Sequence, residues 1–241
     1  LNAYGGFAKV RCKLDDGHVL TLGYLEDVRT DVERYDQSAR NASGEPRFFT
    51  PNEDRRLLYL KDSLDMEGVF ITHLDSYLYY QNYQSKSYYN TESSEKFQRD
   101  VTTLDQNMYG GGLSAVSPVS DDLKLVYGVD ARYEYFEEDK DRYTLTKATG
   151  TEAWSLPKGV TPDGSYDVVD GFAMLDWSPI ERFRVTTGAR FESAHLSSDP
   201  DSQDASAGFT TEDLDMDERW NSVTYSLGCI YWFTKNLALS S

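Results

Sequence analysis

Residues that staple or metallate small domains are scarce in this chain. Cysteine occurs twice, at Cys12 and Cys229, far apart and with no second thiol nearby to form a redox pair or a metal site. Both are expected to behave as small apolar residues. Basic residues are also short: 24 Lys and Arg stand against 41 Asp and Glu, a net charge of −17. No basic stripe is available to neutralise phosphates, so nucleic acid is excluded as a partner. Mean hydropathy is low, and no apolar run approaches the roughly 18 residues of a membrane helix. A β-barrel stays open, because its strands are apolar on one face only. Helical periodicity and internal repeats are missing throughout, which removes bundles, solenoids and propellers.

Alternation is what the chain has in quantity. Every second residue from Leu123 to Tyr135 is apolar or aromatic, and the opposite set is Lys124, Val126, Gly128, Asp130, Arg132 and Glu134. Side chains of a strand alternate between faces, so this segment carries one greasy and one charged face. It runs longer than most soluble strands and long enough for the roughly 9–11 residues of a tilted bilayer crossing. The expected fold is therefore all-β: an antiparallel up-and-down transmembrane β-barrel.

Short turn signals recur at Leu14–Gly17, Asp65–Gly68, Pro118–Asp122, Ser178–Glu181 and Thr234–Asn236, as Asp, Gly, Asn and Pro favour tight reversals. Between them lie long polar stretches near Asp36–Arg56, Gln84–Lys96, Glu137–Tyr166 and His195–Glu218. Short and long connections thus alternate, as periplasmic turns and extracellular loops do in a barrel. The count is about ten strands. The chain opens at Leu1 without a signal peptide and ends within a new alternating run, Leu237–Ser241. Both ends are expected to be cuts in a longer, exported protein, leaving an open fragment.

Energy decides which face meets lipid. Lys9, Arg11 and Lys13 alternate with Ala8, Val10, Cys12 and Leu14, and a basic side chain at the bilayer midplane costs about 2–4 kcal/mol. The basic set is expected to face the lumen. The same argument turns Phe183, Val185, Ala189 and Phe191 outward and Arg184, Arg190 and Glu192 inward. Between Val69 and Tyr83 both parities carry aromatics, and either facing is open. Trp177, Phe183, Trp232 and Phe233 flank short turns, whereas Tyr133, Tyr135, Phe191 and Trp220 stand toward the long connections, as two interface girdles would.

The segments Gly171–Pro179 and Arg182–Glu192, the latter ending Gly188-Ala189-Arg190-Phe191-Glu192, resemble a mid-barrel hairpin of TonB-dependent outer-membrane receptors. Trp220–Ser241 and the opening Asp15–Tyr24 are similar to further hairpins of that family. The resemblance implies that residues 1–241 are a partial barrel domain without its N-terminal plug and C-terminal strands. It implies a receptor in the outer membrane of a Gram-negative bacterium, capturing a scarce nutrient such as a ferric siderophore or haem for energised import. It implies outer-membrane lipid and, through the plug region, the TonB energy-transducing complex as partners. On the residues alone, a small outer-membrane barrel enzyme and a soluble acidic β-sheet binding module are the alternatives.

Candidate residues follow from facing. Arg132, Glu134, Arg182, Arg184, Arg190 and Glu192 are expected in the lumen, where they would contact plug or substrate by ion pairs. Tyr83, Tyr88, Tyr89 and Trp154 are candidates for ligand contact in extracellular loops. His18, His73 and His195 lack a second ligand at metal spacing, so no metal or cofactor site is expected. The acidic stretch Asp199–Glu218 lacks the order and glycine of a calcium loop and reads as a solvated connection. Gly110-Gly111-Gly112 has no nucleotide-loop setting and marks a close backbone approach or a bend. No catalytic pairing is found.

Overall fold

The computed structural model describes residues 2–33, 44, 47–67, 70–157, 161–201, 204, 210–234 and 237–240. The turn residues Gly68, Lys235 and Asn236 and much of the first long polar stretch lie outside them. The chain forms β1 (Asn2–Lys13), β2 (His18–Glu33), β3 (Phe48–Asp65), β4 (His73–Glu92), β5 (Lys96–Ser120), β6 (Leu123–Thr146), β7 (Thr151–Ser155), β8 (Asp163–Ile180), β9 (Phe183–Asp199), a short helix α1 (Thr211–Leu214), β10 (Asp217–Thr234) and β11 (Leu237–Ser240). All pair antiparallel in one 11-stranded open sheet, in chain order. Only β7 leaves that path, pairing with the far end of β6 while β8 returns along its near half. Up-and-down neighbours joined by short reversals are what the turn signals specify.

Strand length departs from the sequence reading. Gln84–Lys96 is not a loop: β4 and β5 run through it and reverse at Ser93–Glu95. Most of Glu137–Tyr166 is likewise strand, contributed by β6, β7 and β8. Both faces of these segments are polar, so they carry no period-two signal of burial. Water on both sides is nevertheless no obstacle to a ladder that satisfies its own backbone groups. The 25 residues of β5 extend roughly 80 Å at strand rise, far beyond a hydrocarbon layer of about 30 Å. At the β6–β7 reversal Gly150 takes φ 66°, a left-handed conformation that glycine adopts without a Cβ clash.

Residues directly opposite one another in an antiparallel pair share a face, so registers can be followed across the sheet as rungs. One rung reads Leu22, Leu60, Leu78, Gly111, Ala131, Val169. The next reads Tyr24, Leu58, Tyr80, Tyr109, Tyr133, Asp167, and the one after it Glu26, Arg56, Asn82, Asn107, Tyr135, Ser165. The apolar face therefore passes through a tyrosine girdle into a polar belt within two rungs, the signature of an interface between hydrocarbon and head groups. Its large apolar side chains are exposed, among them Leu78, Leu113, Val129, Val223, Tyr225 and Leu227. The core of a soluble sandwich would bury that row. Ala8, Val10 and Cys12 share this face, and Lys9, Arg11 and Lys13 the opposite one.

The ambiguous segment is also settled. Its strand begins at His73, with Leu74, Leu78 and Tyr80 on the apolar face and Tyr77, Tyr79 and Tyr83 on the polar face. Trp220 differs from the girdle expectation: it stands on the polar face, stacked against Tyr166 at 6.1 Å between centroids. Amphipathic rings can serve either face, so composition alone does not place them.

Two outcomes follow. In the full-length receptor in lipid vesicles, Leu113→Arg should lower unfolding stability by about 2–4 kcal/mol, whereas Ser114→Arg, one residue along and facing the lumen, should change it by less than about 1 kcal/mol. Denaturant titration monitored by tryptophan fluorescence checks this, and equal effects would contradict the facing. The second concerns α1, where Thr210 and Asp213 form a reciprocal capping box. The Thr210 backbone N–H and then its hydroxyl donate to the Asp213 carboxylate, holding that carboxyl below its usual range. A lowered folded value stabilises above the unfolded value and is lost only as pH falls through the folded one. Protection of the Asp213 and Asp215 amides against hydrogen exchange, expressed relative to the intrinsic rate at each pH, should therefore hold down to about pH 4 and fall below it. In Asp213→Asn that pH dependence should vanish.

Candidate functional site

The polar face carries its charges on a few adjacent rungs. One runs Arg11, Thr21, Lys61, Tyr77, Gly112, Asp130, Asp170, Glu192, Ser222 across β1 to β10. It places the carboxylates Asp130, Asp170 and Glu192 on three neighbouring strands, an arrangement that would repel by itself. Partners from the same and flanking rungs compensate. Arg190, one rung toward the short turns, donates from Nη2 to Asp170 Oδ2 at 2.6 Å, and the Tyr77 hydroxyl donates to Asp130 Oδ1. Arg132, one rung toward the long connections, lies over the Tyr166 ring at 5.4 Å, and its neighbour Glu134 accepts from Gln106.

Two atoms in this cluster are left over. Asp170 is 5% exposed, and its Oδ1 is buried without a partner, as is the Nε of Arg132. Both residues line a cavity of about 300 Å³ together with Tyr77, Tyr79, Asp130, Val168, Arg190 and Glu192. A buried acceptor and donor without partners cost about 1–3 kcal/mol each unless water or another chain completes them. The cluster holds no nucleophile beside a base. Its chemistry is recognition by hydrogen bond and ion pair.

Backbone approach shapes the floor of this face. Tyr79 lies directly opposite Gly110, and Tyr77 opposite Gly112. A Cβ at Gly110 would come within 2.4 Å of the Tyr79 ring, and one at Gly112 within 2.0 Å of the Asp130 carboxylate and 2.8 Å of the Tyr77 ring. The rings lie flat along the wall because the glycines leave room for them, a device that covers exposed strand backbone with aromatic surface. The glycine run thus marks a close approach, within an uninterrupted β5.

Four of the six lumen candidates meet here or beside it: Arg132, Glu134, Arg190 and Glu192. Arg184 shares their face nearer the turn and makes a two-pronged contact with Asp176, at 2.6 and 2.5 Å. Arg182 is exposed in the β8–β9 turn itself, away from the cluster. The loop candidates divide. Tyr83 and Tyr89 share the polar face, Tyr83 donating to Glu53 Oε1 at 3.2 Å. Tyr88 lies on the other face beneath the Arg99 guanidinium, at 4.8 Å, and Trp154 pairs across β6–β7 with Tyr143, ring centroids 5.3 Å apart. Sequence reading passed over Asp130, although it shares parity with Arg132. It also passed over Asp170, whose place beside Arg190 depends on the β8–β9 register.

Long antiparallel strands in chain order, apolar on one face and charged on the other, form an open fragment of a β-barrel. Residues 11–241 match the family model for the TonB dependent receptor-like β-barrel, and the chain belongs to that family. Solved structures of similar fold include the copper transporter OprC, at TM-score 0.74 and 16% identity, where 97% of this chain covers 34% of that one. The FrpB iron transporter from Neisseria meningitidis superposes at TM-score 0.70 and 12% identity, over 99% of this chain and 36% of that one. The siderophore receptor PiuA from Acinetobacter baumannii does so at 0.62 and 13%, over 97% and 40%. The chain therefore spans about a third of the length of these proteins. A search of curated proteins finds no match. The family and the structural neighbours are receptors and transporters, not enzymes, which removes the barrel-enzyme reading.

Arg190→Met should destabilise the full-length receptor by about 1–3 kcal/mol, because Asp170 keeps its burial and loses the partner it has. The double variant Arg190→Met/Asp170→Leu should recover most of that loss, since it removes the orphaned charge as well. Denaturant unfolding in detergent distinguishes them, and a double variant as unstable as the single one would show that the pair does not act as a unit.

Proposed function

We propose that this chain is part of the barrel wall and extracellular rim of a receptor that imports a scarce nutrient, such as a ferric siderophore or haem, across the outer membrane of a Gram-negative bacterium. The observation that carries the reading is the division of the sheet into a tyrosine-bounded apolar face, broken toward the short turns by Asp62 paired with His18, and a charged face that keeps unsatisfied groups. An aqueous pore wall shows that division, whereas a soluble acidic binding module has no use for a continuous exposed apolar band. Family membership and similarity to a copper transporter, an iron transporter and a siderophore receptor support the transport role.

In this reading Arg132, Glu134, Arg182, Arg184, Arg190 and Glu192 offer charged contacts to a plug domain or to passing substrate. Outer-membrane lipid surrounds the other face, and the TonB energy-transducing complex acts through a plug carried elsewhere in the full-length protein. Tyr83 and Tyr89, high on the polar face, would contact an aromatic or metal-chelate ligand. Tyr88 and Trp154, on the outer side of the long strands, would meet it only at the rim.

Growth tests this. A strain lacking the full-length gene should fail on one ferric-siderophore or haem source while growing normally on an iron salt at high concentration, and the intact gene should restore it. Unchanged growth on every iron and cobalamin source would overturn the import role.

A further inference from the structure

The short-turn end of the polar face holds a histidine with a carboxylate on each side. His73, the first residue of β4, stands opposite Asp65 on β3 and Val116 on β5. Its Nδ1 lies 2.6 Å from Asp65 Oδ1 and its Nε2 3.3 Å from Asp75 Oδ2. A neutral imidazole carries one N–H, so one of these two approaches would set a nitrogen lone pair against a carboxylate. Only the imidazolium donates both ways. Asp75 is engaged on its other sides, accepting from the Ser63 hydroxyl and pairing with Lys61 at 3.1 Å. With the proton on, His73 and Lys61 balance Asp65 and Asp75. With it off, one carboxylate is left over.

We propose that His73 is a proton-operated clasp, which joins β3 to β4 at their short-turn end as an imidazolium and slackens that joint when it loses the proton. The inference goes beyond the transport role and is independent of the cargo. Three neighbouring connections meet at the joint. The Asp65 N–H donates to the Gly17 carbonyl of the β1–β2 turn at 2.7 Å, the Met66 N–H to Thr72 at 3.0 Å, and the Thr72 N–H to Val116 of β5 at 2.9 Å. The strands packed to either side add only neutral side chains on this face, Val19 and Thr21 from β2 and Ser114 and Val116 from β5. Asp15 and Asp16 of the β1–β2 turn are already held, by the Gly17 amide and by Lys13. Lys124 stands two strands away on β6, opposite Pro118, and Glu67 is exposed in the β3–β4 connection. The clasp is complete between about pH 4, where the carboxylates ionise, and about pH 6.5, the ordinary imidazole value, and opens as pH rises further. Asp65 is 69% exposed, so solvent screens its share and the effect is modest.

The test is hydrogen exchange by mass spectrometry on the purified full-length receptor in detergent. It follows the Met66 and Thr72 amides from about pH 5.5 to about pH 8.5, each rate divided by the intrinsic rate at that pH. Protection should fall about threefold as pH rises, the size expected of a partly exposed ion pair. The Ser178 amide, bonded to the Asp122 carbonyl between other short turns, should keep its protection. His73→Gln retains a donor and cannot take up a proton, so its protection should stay at the high-pH level throughout. Unchanged heat-modifiable gel mobility would show that its barrel is intact. Asp65→Asn should shrink the step, whereas His195→Gln, on the opposite face, should leave it. A flat wild-type profile, a step that survives His73→Gln, or a step lost in His195→Gln would each overturn the clasp. Growth on iron sources is read separately, so the import role and the clasp stand or fall apart from each other.

Discussion

Everything in this sheet depends on the antiparallel hydrogen-bond ladder holding its register from strand to strand. Side chains alternate with period two, so a slip of one residue would exchange the two faces of a strand. Over the membrane-crossing part the registers run unbroken from β1 to β10, and the shifts fall near strand ends, at Phe49/Asn52, Pro118/Ser120 and Trp177/Ile180. A slipped strand would carry its arginines and aspartates onto the apolar face and its leucines onto the charged one. From β2 to β9 each strand, β7 aside, is paired along both edges through the apolar band, whereas β1 and most of β10 keep one open edge.

The two faces use the same register for different ends. On the polar side, opposite residues bring three carboxylates together on adjacent strands, and the arrangement is held by arginines from neighbouring rungs and a tyrosine hydroxyl. Arg190 is 48% exposed, so the attraction within its ion pair adds little by itself; what costs is leaving the buried Asp170 without it. The importance of these contacts is positional: Arg190 ties Asp170 to β9, and the Tyr77 hydroxyl ties Asp130 to β4. On the apolar side, opposite residues grade from leucine to tyrosine to charged side chains within two rungs. That grading fixes how deep the sheet sits in a bilayer.

Much of this was legible in the residues. The alternation from Leu123 to Tyr135 gave the facing of β6, the basic triad Lys9, Arg11 and Lys13 gave β1, and Asp-Gly and Ser-Pro signals located the short turns. The segment with tyrosines on both parities was not legible, because an amphipathic ring suits lumen and interface alike and neither parity is penalised. The upper halves of β4, β5 and β6 escaped for a related reason. Where both faces meet water, no burial pattern remains, and strands look like loops. Asp170 was missed because its importance comes from Arg190 on the next strand and Arg132 on the previous one, neighbours that only a register can supply.

The sequence by itself determined the class of the wall: period-two alternation, an acidic surplus and alternating connections permit a membrane barrel and exclude helical alternatives, because side-chain direction along a strand is fixed by local geometry. The tertiary structure decided which residues meet. Cross-strand pairing sets Tyr79 over Gly110 and joins Asp130, Asp170 and Glu192 into one patch. These are relations between strands tens of residues apart, and hydrogen-bond register, which is a property of the assembled sheet, is what brings them into contact.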